Sequence, residues 1–439
     1  MAGIFKAYDI RGIYGDTMDE AIMFKIGRAF VTLLKCKTVT VGRDMRPHST
    51  PLFEAFANGA IMQGADVIDL GLATTPMAYF GCGSLNAEGG VMITASHNPG
   101  EWNGIKMTRA QAVPISGATG IMDIERICNE ESFDAPAMKQ GTISRHDISD
   151  EYIAHIRPHA DITRPIKIAA DMANSMGAVE ARVLDGLIEV DAIFEELDGT
   201  FPNHEANPLK AETLEALQAM IREGAYDFGV AFDGDADRVG FVDENASIVA
   251  MDMITALIAQ DMLIHEKGNI FYDLRSSWAV KEVIEENGGT ALMSRVGHAF
   301  IKQQMRDANA SFAGELSGHY YFRDNYFTES SSLAVICVAN IISRTGKTLS
   351  ELIKPIQRYS ASGEINSEVA DPDAVIATLR TDYADGKLIE LDGVSFEYDD
   401  WWFNVRLSNT EPLIRLNLEA TTPEKMEAKR DEVLAKIRA

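Results

Sequence analysis

At 439 residues the chain exceeds what one ordinary hydrophobic core can organise, so three or four domains are expected. Its composition, 46% hydrophobic and 24% charged, is that of a globular protein. With 40 basic and 66 acidic residues the formal charge is -26, which disfavours nucleic acid and anionic membrane as partners.

The longest nearly apolar run, Leu333 to Ile342, is interrupted by Asn340 and as a helix would cross about half a bilayer, so a buried helix is expected there. Met1 to Asp9 lacks the charged-then-apolar pattern of a secretory signal. Cys36, Cys82, Cys128 and Cys337 are widely spaced and form no C-x-x-C pattern, which fits a reducing cytoplasm rather than a zinc site or disulfide framework. If so acidic a protein binds a phosphate, Arg and Lys must line that cleft locally.

In chain order, Thr38 to Gly42 reads as a buried strand, Pro51 to Gly64 as a helix closed by glycine, and Asp66 to Gly71 as a strand. Thr75 to Leu85 reads as a helix and Gly90 to Thr94 as a strand. This rhythm predicts a mostly parallel sheet covered by helices. It restarts at Ile166 to Asp171, running to Phe228 to Phe232, and again at Asn269 to Asp273, reaching Ser311 to Gly314. Three α/β units of similar size suggest an internal repeat. The tail differs: Lys387 to Leu391, Val394 to Tyr398, Trp402 to Leu407 and Ile414 to Ala420 read as strands, with a helix from Pro423 to Arg438, predicting a small α+β domain. The expected domains are 1–144, 145–250, 251–360 and 361–439.

Each α/β unit ends a core strand in a polar loop: Thr94-Ala95-Ser96-His97-Asn98-Pro99, Asp233-Gly234-Asp235-Ala236-Asp237-Arg238, and Gly314-Glu315-Leu316-Ser317-Gly318-His319. Ligands of open α/β sheets gather outside the carboxyl ends of strands, so the three loops are expected to face one cleft. The second carries three alternating carboxylates, with Gly234 permitting a tight turn. Carboxylates so close call for a hard cation, and oxygen-only ligands favour Mg2+ or Mn2+; a solvated acidic turn is the plain alternative. Ser96 is either a turn residue or a covalent phosphate carrier. Glu315, Ser317 and His319 suit hydrogen bonds to sugar hydroxyls, or simply make a turn. Arg406-Leu407-Ser408-Asn409-Thr410-Glu411-Pro412, with Arg415 beyond, offers the donors of a phosphate cage, or again a generic turn.

Together these motifs resemble the α-D-phosphohexomutase family, in particular its phosphomannomutase/phosphoglucomutase branch. The resemblance runs the length of the chain, in order: Lys6 to Gly12, the Ser96 loop, the Asp triplet, Gly297-His298, Gly314 to His319, and Arg406 to Arg415. It implies four domains around a central cleft and a Mg2+ held by Asp233, Asp235, Asp237 and phosphorylated Ser96. It also implies two phosphoryl transfers through a hexose 1,6-bisphosphate, which turns end for end between them. By the same resemblance Arg406, Ser408, Asn409, Thr410 and Arg415 clamp the non-reacting phosphate. Glu315, Ser317 and His319 hold the sugar, with Tyr8 also among the substrate-binding residues. Arg11, Lys106 and His298 line the reaction centre, the last two as candidates for proton transfer, and Arg238 supports the phosphoserine. Arg275 falls where many relatives carry Lys but can still bind phosphate.

The Gly-Glu-Leu-Ser-Gly-His loop is similar to the version that serves mannose and glucose phosphates, which differ only at the 2-hydroxyl. The expected substrate is therefore a small sugar phosphate, mannose foremost and glucose possible, in a monomer or homodimer. A Mg2+-dependent sugar phosphatase, a phosphoglucosamine mutase and a non-catalytic sugar-phosphate-binding protein are the competing readings.

Overall fold

The computed structural model describes residues 3–407 and 413–439. They form four sheets, one of seven strands and two of five in units that alternate strands with helices, and a five-stranded C-terminal sheet. Among the described residues no helix is long and apolar enough to cross a membrane.

The three α/β units share one topology. In the second, Lys167–Asp171 is flanked by the parallel strands Glu189–Ile193 and Phe228–Phe232. Val239–Asp243 then returns antiparallel beside Phe228–Phe232, followed by Ile248–Val249. The third repeats this: Asn269–Asp273 lies between Thr290–Ser294 and Phe312–Gly314, and Tyr320–Phe322 and Thr328–Glu329 return antiparallel. In the first, Thr38–Arg43 lies between Asp66–Leu72 and Gly89–Ile93, with Trp102–Arg109 antiparallel beside the latter. Ile10–Ile13 and Ile143–Arg145 extend that sheet at its two edges.

Each of these three sheets is thus mixed, with parallel and antiparallel pairings in equal number rather than mostly parallel ones. The reason is connection length. The third and fourth strands are joined by loops 94–101, 233–238 and 315–319, too short for the crossover a parallel neighbour needs. The three polar loops singled out in the sequence are this same turn, used three times.

Buried helices tie the units together. Ser331–Thr345 is capped by Ser330, whose hydroxyl accepts the Leu333 N–H at 3.2 Å, and stops at Gly346 with φ 68°. Its apolar residues join one core running from Leu70 and Phe80 of the first unit, through Phe228 of the second, to Phe312 of the third. The Leu333 to Ile342 segment is a buried helix, as expected.

The C-terminal sheet runs Ser360–Glu368, Leu413–Ala420, Trp401–Leu407, Val394–Glu397, Lys387–Ile389, all antiparallel, and packs on helix Pro423–Ile437 around its own core of Phe396, Phe403 and Leu416. Strand Ser360–Glu368 and helix Pro372–Asp382 escape the sequence reading. The strand alternates polar and half-buried residues with no apolar face, leaving little period-two signal.

Candidate active site

The first two loops touch directly. The Ser96 hydroxyl donates to Asp233 Oδ2 at 2.8 Å, and Ser96 sits in left-handed backbone at φ 52°. Gly234 lies so close that a Cβ there would meet the Ser96 carbonyl oxygen at 2.0 Å. The glycine is therefore needed for loop-to-loop approach, not for the tight turn the sequence suggested. The left-handed position in that loop falls to Ala236, at φ 59°.

Asp233, Asp235 and Asp237 are buried and offer carboxylate oxygens within 4.8 Å of one another. Lys106 Nζ pairs with Asp235 Oδ2 at 2.5 Å and also bonds Asp237, while Thr75 Oγ1 donates to Asp235 Oδ2 at 2.6 Å. Burial, then the neighbouring Asp235 and Asp237 charges, push the Asp233 carboxyl well above the ordinary range. Burial raises Asp237 too, but the Lys106 ammonium and His319 outweigh it and hold Asp237 well below.

Around this centre, Arg238 Nε lies 3.8 Å from Asp233 Oδ2 and 3.3 Å from His319 Nε2, and His319 Nε2 lies 3.3 Å from Asp237 Oδ1. Ser317 Oγ and His319 Nδ1 are 2.7 Å apart. Arg11 donates to Asp9 at 2.7 Å, to the Ala95 carbonyl at 3.2 Å and to Asn98 Oδ1 at 2.5 Å, binding the first motif to the serine loop. Glu315 is buried and accepts from the Gly297 N–H at 3.0 Å and the Tyr321 hydroxyl at 2.5 Å. Tyr8 donates to the Val296 carbonyl at 3.1 Å and meets the His298 ring edge-on at 5.9 Å.

Neither His298 ring nitrogen has a hydrogen-bond partner among the described residues. Burial, then the charges of Lys302 and Lys106, hold this imidazole well below its ordinary pKa, so it is neutral. For Lys106 burial works downward, but Asp235 and Asp237 more than offset it and keep the ammonium charged.

At the C-terminal sheet Glu364 gathers three arginines. It accepts from Arg406 Nη2 at 2.8 Å and Arg415 Nη1 at 3.1 Å, and Arg275 Nη1 lies 3.7 Å away. Arg275 is also paired with Asp273 at 2.7 Å. Burial works against the Glu364 charge, yet the three arginines hold its carboxyl below the ordinary value. Ser408, Asn409 and Thr410 lie outside the described residues.

Sequence reasoning missed three residues near the site. Glu364 sits on the strand that the pattern did not reveal. Arg46, in Asp44-Met45-Arg46, repeats the Asp-x-Arg spacing of Asp273-Leu274-Arg275 and could have been found from it. Lys302, one turn along the helix from His298, is fully buried against Glu329 at 3.0 Å, with the Tyr79 ring 4.1 Å from its ammonium.

Comparison with known proteins agrees with the four-part fold along nearly the whole chain. Models of the phosphoglucomutase/phosphomannomutase α/β/α domains I, II and III match residues 2–135, 150–246 and 250–359, and that of the C-terminal domain matches 364–436. A phosphomannomutase of Escherichia coli is 38% identical over 451 residues, with 99% of each chain covered. One of Methanocaldococcus jannaschii is 40% identical over 437 residues, covering 98% of this chain and 96% of that protein. A crystal structure of a phosphoglucomutase/phosphomannomutase family protein from Burkholderia thailandensis superposes with TM-score 0.91 at 31% identity, covering 99% of this chain and 96% of that one. The chain belongs to the phosphoglucomutase/phosphomannomutase family and is a phosphohexose mutase.

Proposed function

We propose that the protein interconverts hexose 1-phosphate and hexose 6-phosphate, mannose foremost and glucose as well, with Ser96 as the phosphoryl carrier. The observation that carries this reading is the meeting of the Ser96 hydroxyl with the buried Asp triplet, at 2.8 Å from Asp233. The mannose preference is supported by the names of the relatives, and the third loop, with Leu316 where glucosamine-specific relatives usually carry Gln, supports mannose and glucose phosphates over glucosamine phosphate.

In the first transfer the free hydroxyl oxygen of the sugar attacks phosphorus, the bond from phosphorus to Ser96 Oγ breaks, and the hydroxyl proton passes by way of His298 to the departing Ser96 Oγ. In the second, Ser96 Oγ attacks the other phosphate of the 1,6-bisphosphate and gives up that proton. The phosphorus–oxygen bond to the sugar breaks, and His298 delivers the proton to the departing sugar oxygen. Lys106, kept charged, steadies the transferring oxygens. Arg406, Arg415 and Arg275 hold the non-reacting phosphate, with Ser408, Asn409 and Thr410 completing the cage. Glu315 and Ser317 receive the sugar hydroxyls. Arg11 and Arg238 brace the serine loop and its phosphate, and Tyr8 borders the sugar.

A Mg2+ ion fits the donors present. They are all oxygen, and Asp235 Oδ1 is buried without a hydrogen-bond partner among the described residues. Asp233, Asp235, Asp237 and phosphorylated Ser96 would hold it, and when bound it screens the phosphate charge.

Side-by-side rates on mannose 1-phosphate, glucose 1-phosphate and glucosamine 1-phosphate, with free phosphate measured alongside, test this reading. Isomerised mannose and glucose phosphates are expected as the main products. Free phosphate as the main product would make the protein a phosphatase.

A further inference from the structure

In each α/β unit an aspartate at the end of Thr38–Arg43, Lys167–Asp171 or Asn269–Asp273, or one residue past it, accepts the N–H two residues on. Asp44 takes Arg46 N at 3.1 Å, Asp171 takes Ala173 N at 2.9 Å, and Asp273 takes Arg275 N at 2.7 Å. The residue at the receiving position differs, and so does its use. In the third unit Arg275 turns toward Glu364 of the C-terminal domain, whereas in the first Arg46 turns beneath the serine loop.

Arg46 is only 2% exposed, and every donor of its guanidinium group is directed at a partner of the first unit. Nη1 donates to the Pro99 carbonyl at 2.7 Å and the Trp102 carbonyl at 2.9 Å. Nη2 donates to the Ser96 carbonyl at 2.8 Å and the Asn98 carbonyl at 2.6 Å, and Nε faces Asp44 Oδ2 at 3.2 Å. Asp44 is fixed in turn by the Ser49 hydroxyl at 2.5 Å. From the second domain the Phe201 ring covers the guanidinium at 5.0 Å, and Gly199 passes so near that a Cβ would sit 2.5 Å from Arg46 Cα. With four carbonyls turned onto one cation, the buried Ser96 side chain faces Asp233, in a backbone conformation that serine rarely adopts.

We propose that Arg46 is the positioning residue of the phosphoryl-carrying loop, fixing Ser96 in the left-handed conformation that aims its hydroxyl at Asp233. The proposal rests on the reading of Ser96 as carrier. Lysine keeps the charge but cannot reach four carbonyls and a carboxylate at once, so geometry and charge can be separated.

The test compares Arg46→Lys with the wild type for kcat and KM on mannose 1-phosphate, for free phosphate released from the phosphoenzyme, and for thermal midpoint. The expected result is a kcat lower by about 100-fold at a KM within about threefold, with more phosphate lost to water per turnover. A kcat within about tenfold of wild type overturns the proposal, as does a larger loss with no increase in phosphate leak. Should Arg46→Lys fail to fold, Asp44→Asn carries the test. It leaves the guanidinium in place but weakens its anchor, so a kcat loss of about fivefold or more with raised leak supports the proposal and any smaller change overturns it. Peptide mapping of wild type treated with hexose bisphosphate keeps the two readings apart. No phosphate on Ser96 removes the carrier reading itself; a labelled wild type with unimpaired Arg46→Lys removes the positioning role alone.

Discussion

The Ser96 hydroxyl and the Asp233 carboxylate, 137 positions apart in the chain, meet at 2.8 Å because each closes the third strand of its own α/β unit. Repeating one turn in successive units brings a serine hydroxyl and an acidic cluster face to face without any long connection. Ser96→Ala keeps the backbone contacts of that turn and removes only the oxygen. We expect turnover to fall by about 1,000-fold or more while sugar phosphate still binds. Isothermal titration beside a rate assay checks this, and a near-normal rate in the variant would remove Ser96 as carrier.

Metal dependence should follow the triplet. Asp235 places one buried oxygen with no partner among the described residues and shares its other with Lys106 and Thr75. Asp235→Asn leaves size and the Thr75 contact in place but removes a charge. Affinity for Mn2+, read by electron paramagnetic resonance, is expected to weaken roughly tenfold or more. Chelation should abolish wild-type turnover and added Mg2+ restore it. An unchanged Mn2+ affinity in the variant would remove Asp235 as a ligand.

The three site loops were legible in the sequence because each is polar chemistry set directly after an apolar strand, a contrast that survives without knowledge of the fold. Glu364 was hidden because its strand is half exposed and polar on both faces, so no alternation marks it. Lys302 was hidden for a different reason. A lysine one helical turn from a histidine ordinarily faces water, and only the packing of Glu329 and Tyr79 from distant segments buries it. Gly234 was legible as a required glycine, but not for its reason, because close approach by Ser96 is a contact between units. Residues whose role lies in their own loop can be read from sequence; those whose role lies in another unit cannot.

The arginine cluster should govern affinity more than rate. Arg406, Arg415 and Arg275 converge on one carboxylate, as they would on the phosphate that stays bound through each transfer. A grip equally strong before and during reaction lowers KM without raising kcat. Arg406→Lys replaces a planar fork with a single ammonium and is expected to raise KM about tenfold or more, with kcat changed less than about fivefold. Steady-state kinetics in both directions checks this; a fall in kcat at constant KM would place Arg406 in the transferring step instead.

Two buried carboxyls where the C-terminal domain meets the third unit predict a pH response. Glu419 accepts the Trp278 N–H at 3.0 Å and the Trp402 indole N–H at 3.1 Å, and burial above all raises its carboxyl to about 6. Asp252, which accepts the Ser277 N–H at 2.9 Å, is raised by burial to about 6 as well. A carboxyl raised on folding binds its proton more tightly in the folded chain than in the unfolded one. Its contribution is therefore most favourable below the unfolded value, near 4.5 for Glu419, and is lost as pH climbs toward 6. Above that the ionised Glu419 costs about 2 kcal/mol, by the usual equivalence of pKa and free energy. Glu419→Gln keeps an acceptor for both N–H groups and removes the charge. Its thermal midpoint relative to wild type should rise between pH 4.5 and pH 7.5, and melts across that range decide it. A difference that stays flat with pH would mean that Glu419 ionises no less readily in the folded chain than in the unfolded one.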